Sequence, residues 1–409
     1  MDEVRFSRWQ KRVLMFFVSQ SITLFGSTLV QMALVWYATM QTASGRWVAA
    51  FSVCSYLPQF LMAFVGGVWA DRYSHKRLII AADAVTAGLT LAMVGLMPLF
   101  TSEAKLLAAL LVLSMLRAVA AGVQTPAVNA VVPQMVPKHA LLRVNGINAS
   151  MQAVVNFAAP AAAGAVMVFG SLRAILMIDV VTAAAGISLL AVLALPKRQT
   201  EREDTALWRS MLTGVKAALS KRDLRQLLLS YGAFTFFCVP AGFLAGLYVR
   251  RTFGASYWIL TVVELVGFAG MLGGGVLMSI WGGFQNRWRT LMVSLFIFSG
   301  CAVWMGVVTQ FTVYLAVMVL YGIAMTSVQT VITTLLQEQA PPRLQGRILG
   351  LQNSMYAGAL PLGMAVFGPL ADHCPLSLLM VFSGLAVLAL GLLLWRCGGD
   401  KKHAHWNRR

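Results

Sequence analysis

The chain has 409 residues, of which 59% are hydrophobic and only 11% charged. A soluble domain is usually about a quarter charged, so this composition excludes a water-soluble globule and belongs to an integral membrane protein. The formal net charge of +18 needs no nucleic-acid partner, because the bases follow membrane topology and attract anionic lipid.

Apolar stretches long enough to cross a bilayer, roughly 20 residues each, run near 13–40, 47–70, 78–98, 105–126, 146–169, 172–195, 225–249, 256–281, 289–309, 311–335, 348–370 and 375–396. Twelve transmembrane helices are therefore expected. The first follows a basic N-terminus, as a signal peptide would. It is too long for such a segment and carries Ser19, Gln20, Thr23, Ser27 and Gln31, so it reads as an uncleaved span. With both termini placed in the cytoplasm, the inside segments hold 26 of the 32 Lys and Arg and the outside loops hold five, Arg117 lying within a span. That bias is what the positive-inside rule demands of an even number of spans.

Two halves are visible. A shift of 204 residues brings Pro137 onto Pro341, Arg143 onto Arg347, Gly146 onto Gly350, Ser150 onto Ser354, Met151 onto Met355 and Gly164 onto Gly368. This is a weak six-span repeat, expected of halves related by an axis along the membrane normal. The organisation predicted is an N-terminal six-helix half at 1–195, a connector at 196–222, and a second half with a basic tail at 223–409. In the connector Trp208, Leu212, Val215 and Leu219 share a helical face, the pattern of an amphipathic helix at the cytoplasmic interface.

Ionisable residues inside the spans are Asp83, Arg117, Asp179 and Glu264. Each costs about 2.5–3.5 kcal/mol or more at mid-bilayer, so each should face protein or water and is a functional candidate. Asp83 and Arg117 have similar depths in neighbouring spans and are expected to pair. Polar stripes at helical spacing mark the first span (Gln20, Thr23, Ser27, Gln31), the fifth (Asn145, Asn148, Gln152, Asn156) and the tenth (Thr326, Gln329, Thr330, Thr333, Gln337). Such faces look into a hydrated cavity or onto a partner helix. Tyr56, Tyr231, Phe234, Phe268, Met271 and Tyr356 accompany them. Soft apolar walls with scattered hydrogen-bonding groups suit bulky amphiphiles better than sugars or inorganic ions. The five cysteines have no metal or redox spacing, and neither a metal site nor a cofactor is expected.

Between the second and third spans runs Gly66-Gly67-Val68-Trp69-Ala70-Asp71-Arg72-Tyr73-Ser74-His75-Lys76-Arg77. A glycine four residues before Asp-Arg, then a basic cluster, resembles the signature loop of the major facilitator superfamily. Ser74 and His75 stand where that family usually has glycine and a base. A decayed second copy, Gly274-Gly275-Val276, has Ser279 for the acid and Gly282-Gly283 after it. Arg117 resembles the family's helix-4 arginine, and Ala159-Pro160-Ala161-Ala162-Ala163-Gly164 resembles an exporter motif with alanine for two glycines. Within the superfamily the likeness is to macrolide-efflux and siderophore exporters. Supporting strings are Thr125-Pro126-Ala127-Val128-Asn129-Ala130-Val131, Val136-Pro137, Ile178-Asp179, Thr261 to Glu264 and Gly346-Arg347.

The resemblance implies an all-α fold of two six-helix halves and proton-coupled export by alternating access. It implies a monomer in the plasma (inner) membrane, with protons, lipid and a small-molecule substrate as partners. Gly67, Asp71, Arg72, Lys76 and Arg77 would form a conformational latch, with Gly67 at a close approach of helices and Asp71 docking at the start of the eleventh span near Arg347. Glu264 is the leading proton-coupling candidate, ahead of Asp179, Asp83 and Arg117. A siderophore or lipid-type transporter on the same fold is the alternative, since no residue decides between export and uptake. A membrane enzyme is disfavoured, because no Gly-x-Ser-x-Gly, His-x-x-His or paired-acid arrangement occurs, and the absence of a phosphate-binding loop disfavours an ATP-driven pump.

Overall fold

A computed structural model of the chain describes residues 8–137, 140–193, 221–340 and 345–406. Every described element is helical, and among the described residues twelve segments are long and apolar enough to cross a membrane. The expected amphipathic connector helix lies outside the described residues. The chain divides into two units, Met1–Thr42 with Ala50–Glu201, and Ala43–Ala49 with Arg202–Arg409.

The first unit is built from α1 (Arg8–Thr42), α2 (Gly45–Arg72), α3 (His75–Leu96), α4 (Glu103–Met135), α5 (Leu141–Phe169) and α6 (Leu172–Val192), α2 starting within the segment 43–49. Helix α1 packs on α5 and α6, and α3 packs on α4 and α6. Lipid tails are as apolar as leucine, so such helices associate through close packing and interhelical hydrogen bonds rather than hydrophobic burial. Small residues supply the closeness. A Cβ at Gly186 of α6 would stand 2.3 Å from the Thr23 methyl of α1. Beside it the Ser19 hydroxyl donates to the Gly186 carbonyl at 2.8 Å. A Cβ at Gly66 of α2 would stand 2.5 Å from the Gly122 carbonyl of α4. Two to three turns further along the same α2–α4 interface, Ser55 and Ser114 share a 2.7 Å hydrogen bond.

The second unit comprises α7 (Arg222–Phe237), α8 (Val239–Gly242), α9 (Ala245–Thr252), α10 (Tyr257–Trp281), α11 (Arg287–Val307), α12 (Phe311–Gln339), α13 (Gln345–His373) and α14 (Leu376–Trp406). Its pairings repeat those of the first: α7 on α14 answers α1 on α6, and α11 on α12 and α14 answers α3 on α4 and α6. Gly270, 204 residues after Gly66, again sits at a backbone contact, where a Cβ would lie 2.5 Å from the Val319 carbonyl of α12.

The seventh span, expected as one helix, is broken into α7, α8 and α9. Pro240 stands in the first turn of α8, where its missing N–H costs least. The freed backbone is satisfied locally, Gly242 N–H donating to the Cys238 carbonyl at 2.9 Å. The Tyr321 hydroxyl of α12 reaches the same carbonyl at 3.4 Å. At the end of α10, Gly282 and Gly283 have φ of 69° and 81°, left-handed values that favour glycine. The decayed copy of the loop motif is thus a helix stop.

Candidate functional site

Helices α3 and α4 run antiparallel, and their contacts fix which residues share a level. The Gln124 amide donates to Asp83 Oδ1 at 2.7 Å. Seven residues further along α3, Thr90 meets Arg117. Seven residues are about two helical turns, or ~10.5 Å, so Asp83 cannot reach Arg117. The expected Asp83–Arg117 pair does not form, because depth estimated from span ends misplaces a register by this much.

Arg117 instead pairs with Asp179 of α6. Its Nη1 donates to Asp179 Oδ2 and its Nη2 to Oδ1, the latter at 3.3 Å. Thr90 binds both partners, accepting from Arg117 and donating to Asp179 Oδ2 at 3.1 Å. The pair is sealed from solvent, with side-chain exposures of 10% for Arg117 and 2% for Asp179. Asp83 is also buried, and its Oδ2 has no partner. Thr90 and Gln124 were missed in the sequence because neither carries charge. Their signal was a seven-residue spacing from Asp83 and Arg117 that mirrors across an antiparallel pair.

In the second unit Glu264 lies two turns into α10, is half-buried, and makes no hydrogen bond or ion pair with a described residue. The face of α10 that packs on α12 is the glycine stripe Gly267, Gly270 and Gly274. Glu264, Phe268, Met271 and Gly275 lie about a quarter-turn round from it. Gly275 has open space where a Cβ would be, while Phe268 and Met271 are half-buried. Tyr314 of α12 has a buried hydroxyl without a partner, within electrostatic range of Glu264.

The cavity candidates divide. Gln20, Ser27 and Gln31 of α1 are half-buried, and Gln152 and Asn156 of α5 are exposed. Tyr56, Gln329 and Tyr356 are half-buried. Thr333, also half-buried, accepts from the Gln352 amide at 2.8 Å. Tyr231 lies within hydrogen-bonding reach of the same Gln352, a buried residue that no sequence stripe singled out. Two candidates are packing residues instead. Thr23 is 4% exposed because its methyl fills the space over Gly186. Phe234 is 1% exposed, its ring 4.8 Å from that of Phe298 on α11. A helical stripe fixes a direction about its own axis, and in both cases the neighbour in that direction is another helix.

In the loop motif Asp71 and Arg72 are exposed at the end of α2. Gly66, not Gly67, makes the close helix approach, because Gly67 has nothing within 4 Å of where its Cβ would be. Lys76 caps α6, its Nζ donating to the carbonyls of Ala191 at 2.7 Å and Leu193 at 2.9 Å. A cation at a helix C-terminus satisfies orphan carbonyls and the macrodipole together. Arg77 is exposed. The side chain of Arg347 lies outside the described residues. Among the described residues no group of three or more His, Cys, Asp or Glu could hold a metal.

Comparison with known proteins adds to this geometry. The family model described as Major Facilitator Superfamily matches residues 16–364. Macrolide efflux protein A of Streptococcus pyogenes is 26% identical over 395 residues, covering 95% of this chain and 96% of that protein. Multidrug efflux pump Tap of Mycobacterium bovis (strain BCG / Pasteur 1173P2) is 23% identical over 382 residues, covering 89% and 88%. Among solved structures, a bacterial homologue of the iron transporter ferroportin in an inward-facing state superposes with a TM-score of 0.72 at 18% identity, covering 94% and 98% of the two chains. At that identity the likeness speaks for the fold alone.

Proposed function

Because the chain belongs to the major facilitator superfamily, we propose that it is a proton-coupled exporter of bulky amphiphilic small molecules of the macrolide type, working by alternating access. The observation that supports this most is the set of ionisable groups kept inside the spans. Asp83 keeps one carboxylate oxygen buried without a partner, and Glu264 has no hydrogen-bonding or ion-pair partner among the described residues. Such groups are costly in a bilayer and mark proton or ion pathways. The direction and the substrate class rest on the names of the efflux relatives. The mixed apolar and amide faces suit such a substrate.

In this reading Glu264 takes a proton from the outer side and releases it when the molecule opens inward, while a cationic amphiphile competes for the same charge. Arg117 and Asp179, already paired, hold α4 to α6 and steady the field around Asp83. The Asp71 loop biases the equilibrium between the two states. The protein works as a monomer in the plasma (inner) membrane with both termini in the cytoplasm.

The test is a drug panel scored in an expression strain with and without a protonophore. The wild-type chain should raise macrolide resistance and lose that effect with the protonophore. Glu264→Gln should bind substrate and reach the membrane normally but export nothing. Resistance indifferent to the protonophore would refute proton coupling. Full protonophore-sensitive export by Glu264→Gln would remove Glu264 from the mechanism.

A further inference from the structure

A groove of about 580 Å³ runs between α1 and α5 of the first unit. Gly146, Ile147, Ser150, Met151 and Val154 of α5 line it together with Ser21 of α1. Its volume falls in the range of roughly 300–1,000 Å³ usual for small-molecule sites. At about 3.6 residues per turn, Gly146, Ile147, Ser150 and Val154 lie on the side of α5 opposite its amide stripe of Asn145, Asn148, Gln152 and Asn156. The walls are apolar and open, Ile147 being 43% and Val154 67% exposed. On α1, Ser21 shares a helical face with the exposed Leu14 and Val18. Apolar side chains exposed on a spanning helix, away from its amides, meet lipid. Small residues make the floor. A Cβ on Gly146 would have nothing within 4 Å of it. The Ser150 hydroxyl donates to the Gly146 carbonyl at 3.0 Å, so its proton is spent within the helix.

Arg143 stands at the mouth of the groove. It is exposed, begins the membrane-length segment Arg143–Phe169, and makes no hydrogen bond or ion pair with a described residue. No residue lining the groove is acidic, and α5 has no acid in its first turn. The groove is therefore an apolar strip with one unbalanced positive charge at one end, at headgroup depth. Its length decides what fits. From Arg143 to Val154 the helix rises ~16 Å, and one leaflet of a bilayer holds ~15 Å of hydrocarbon. A small anion would use the arginine and leave the walls bare, and an uncharged hydrocarbon would do the reverse. A second copy packed there about a two-fold axis would set Arg143 against itself. A lipid with an anionic headgroup matches the charge, the walls and the length together.

We infer that the groove between α1 and α5 is a binding site for one anionic phospholipid, its phosphate on Arg143 and one acyl chain laid along Gly146, Ser150 and Val154. In the topology proposed above this is a lipid of the inner leaflet, where anionic lipids gather. The test needs neither substrate nor proton gradient. The protein goes into nanodiscs of phosphatidylcholine that carry a trace of phosphatidylglycerol, or of phosphatidylcholine, with a photoreactive diazirine in one acyl chain. Crosslinked residues are then mapped by peptide mass spectrometry. The phosphatidylglycerol probe should label residues 146–155 about fivefold more than the phosphatidylcholine probe, which is the worth of one basic residue at a membrane surface. Arg143→Gln should level the two probes. Gly146→Leu, whose side chain has room to enter the groove, should remove that labelling for both and leave the melting temperature in place. Arg143→Gln, at an exposed position, keeps the test alive if Gly146→Leu fails to fold. Labelling spread evenly over the spans, or undiminished in Gly146→Leu, would overturn the site. Equal labelling by the two probes in the wild-type chain would overturn the anionic headgroup. Loss of the fivefold difference on adding inorganic phosphate at constant ionic strength would assign Arg143 to a free anion instead. A dimer that Gly146→Leu abolishes would give the groove to a second copy. The expected labelling in a protein that exports no drug would support the lipid site and count only against the export reading.

Discussion

Removing one partner of the Arg117–Asp179 pair should cost far more than removing both. Asp179 is 1% and Arg117 9% exposed, so Asp179→Asn leaves a guanidinium, and Arg117→Gln a carboxylate, without a counter-ion in a low-dielectric interior. Breaking a buried pair from one side costs roughly 3–5 kcal/mol because it strands a buried charge, whereas exchanging both charges for neutral groups of similar volume strands none. Thr90 softens both singles alike. It donates to Asp179 and accepts from Arg117, so a hydroxyl that can rotate still serves whichever partner remains. Each single variant should therefore lose most of its folded protein, given that whole domains are stable by about 5–15 kcal/mol. Asp179→Asn/Arg117→Gln should come within ~1–2 kcal/mol of wild type. The assay is membrane yield of a fluorescent fusion together with the melting temperature of the detergent-solubilised protein. Asp83→Asn/Arg117→Gln serves as the control, because Asp83 sits two turns away beside Gln124 and should rescue nothing. A double variant at Asp179 and Arg117 no more stable than the worse single, or rescue by the Asp83 combination, would refute the pairing and the α3–α4 register with it.

Two further outcomes follow from the packing and the loop. Gly270→Ala should destabilise the second unit by about 1–3 kcal/mol, because its new methyl would meet the Val319 carbonyl at 2.5 Å. Gly275→Ala, with open space in front of it, should leave the melting temperature unchanged, and equal effects at the two sites would contradict the α10–α12 contact. Asp71→Asn should keep folding intact but shift the conformational equilibrium by a contact worth about 1–2 kcal/mol. Unaltered labelling of cysteine probes on the cytoplasmic loops of that variant would argue against a latch there.

What was legible in the sequence was whatever local chemistry dictates. Runs of apolar residues set twelve spans, since stretches of some 20 uncharged residues match the thickness of the bilayer's hydrocarbon core. The 204-residue repeat anticipated the two halves and reappears as matching helix pairs in the two units. The cost of charge in a bilayer singled out Asp83, Arg117 and Asp179, all of which are buried. The break in the seventh span went unread although Pro240 and Gly242 were in view, because membrane helices tolerate proline and glycine where neighbours re-satisfy the freed backbone groups. Partner choice was decided only in three dimensions. Arg117 takes Asp179 rather than Asp83, Thr23 and Phe234 turn to neighbouring helices, and Asp372 caps a helix that begins 327 residues before it. Periodicity defines a face about a helix's own axis. The depth and rotation at which that face meets another are set by backbone contacts such as Gly66 on Gly122 and Gly186 on Thr23, between residues far apart in the chain whose pairing no local pattern records.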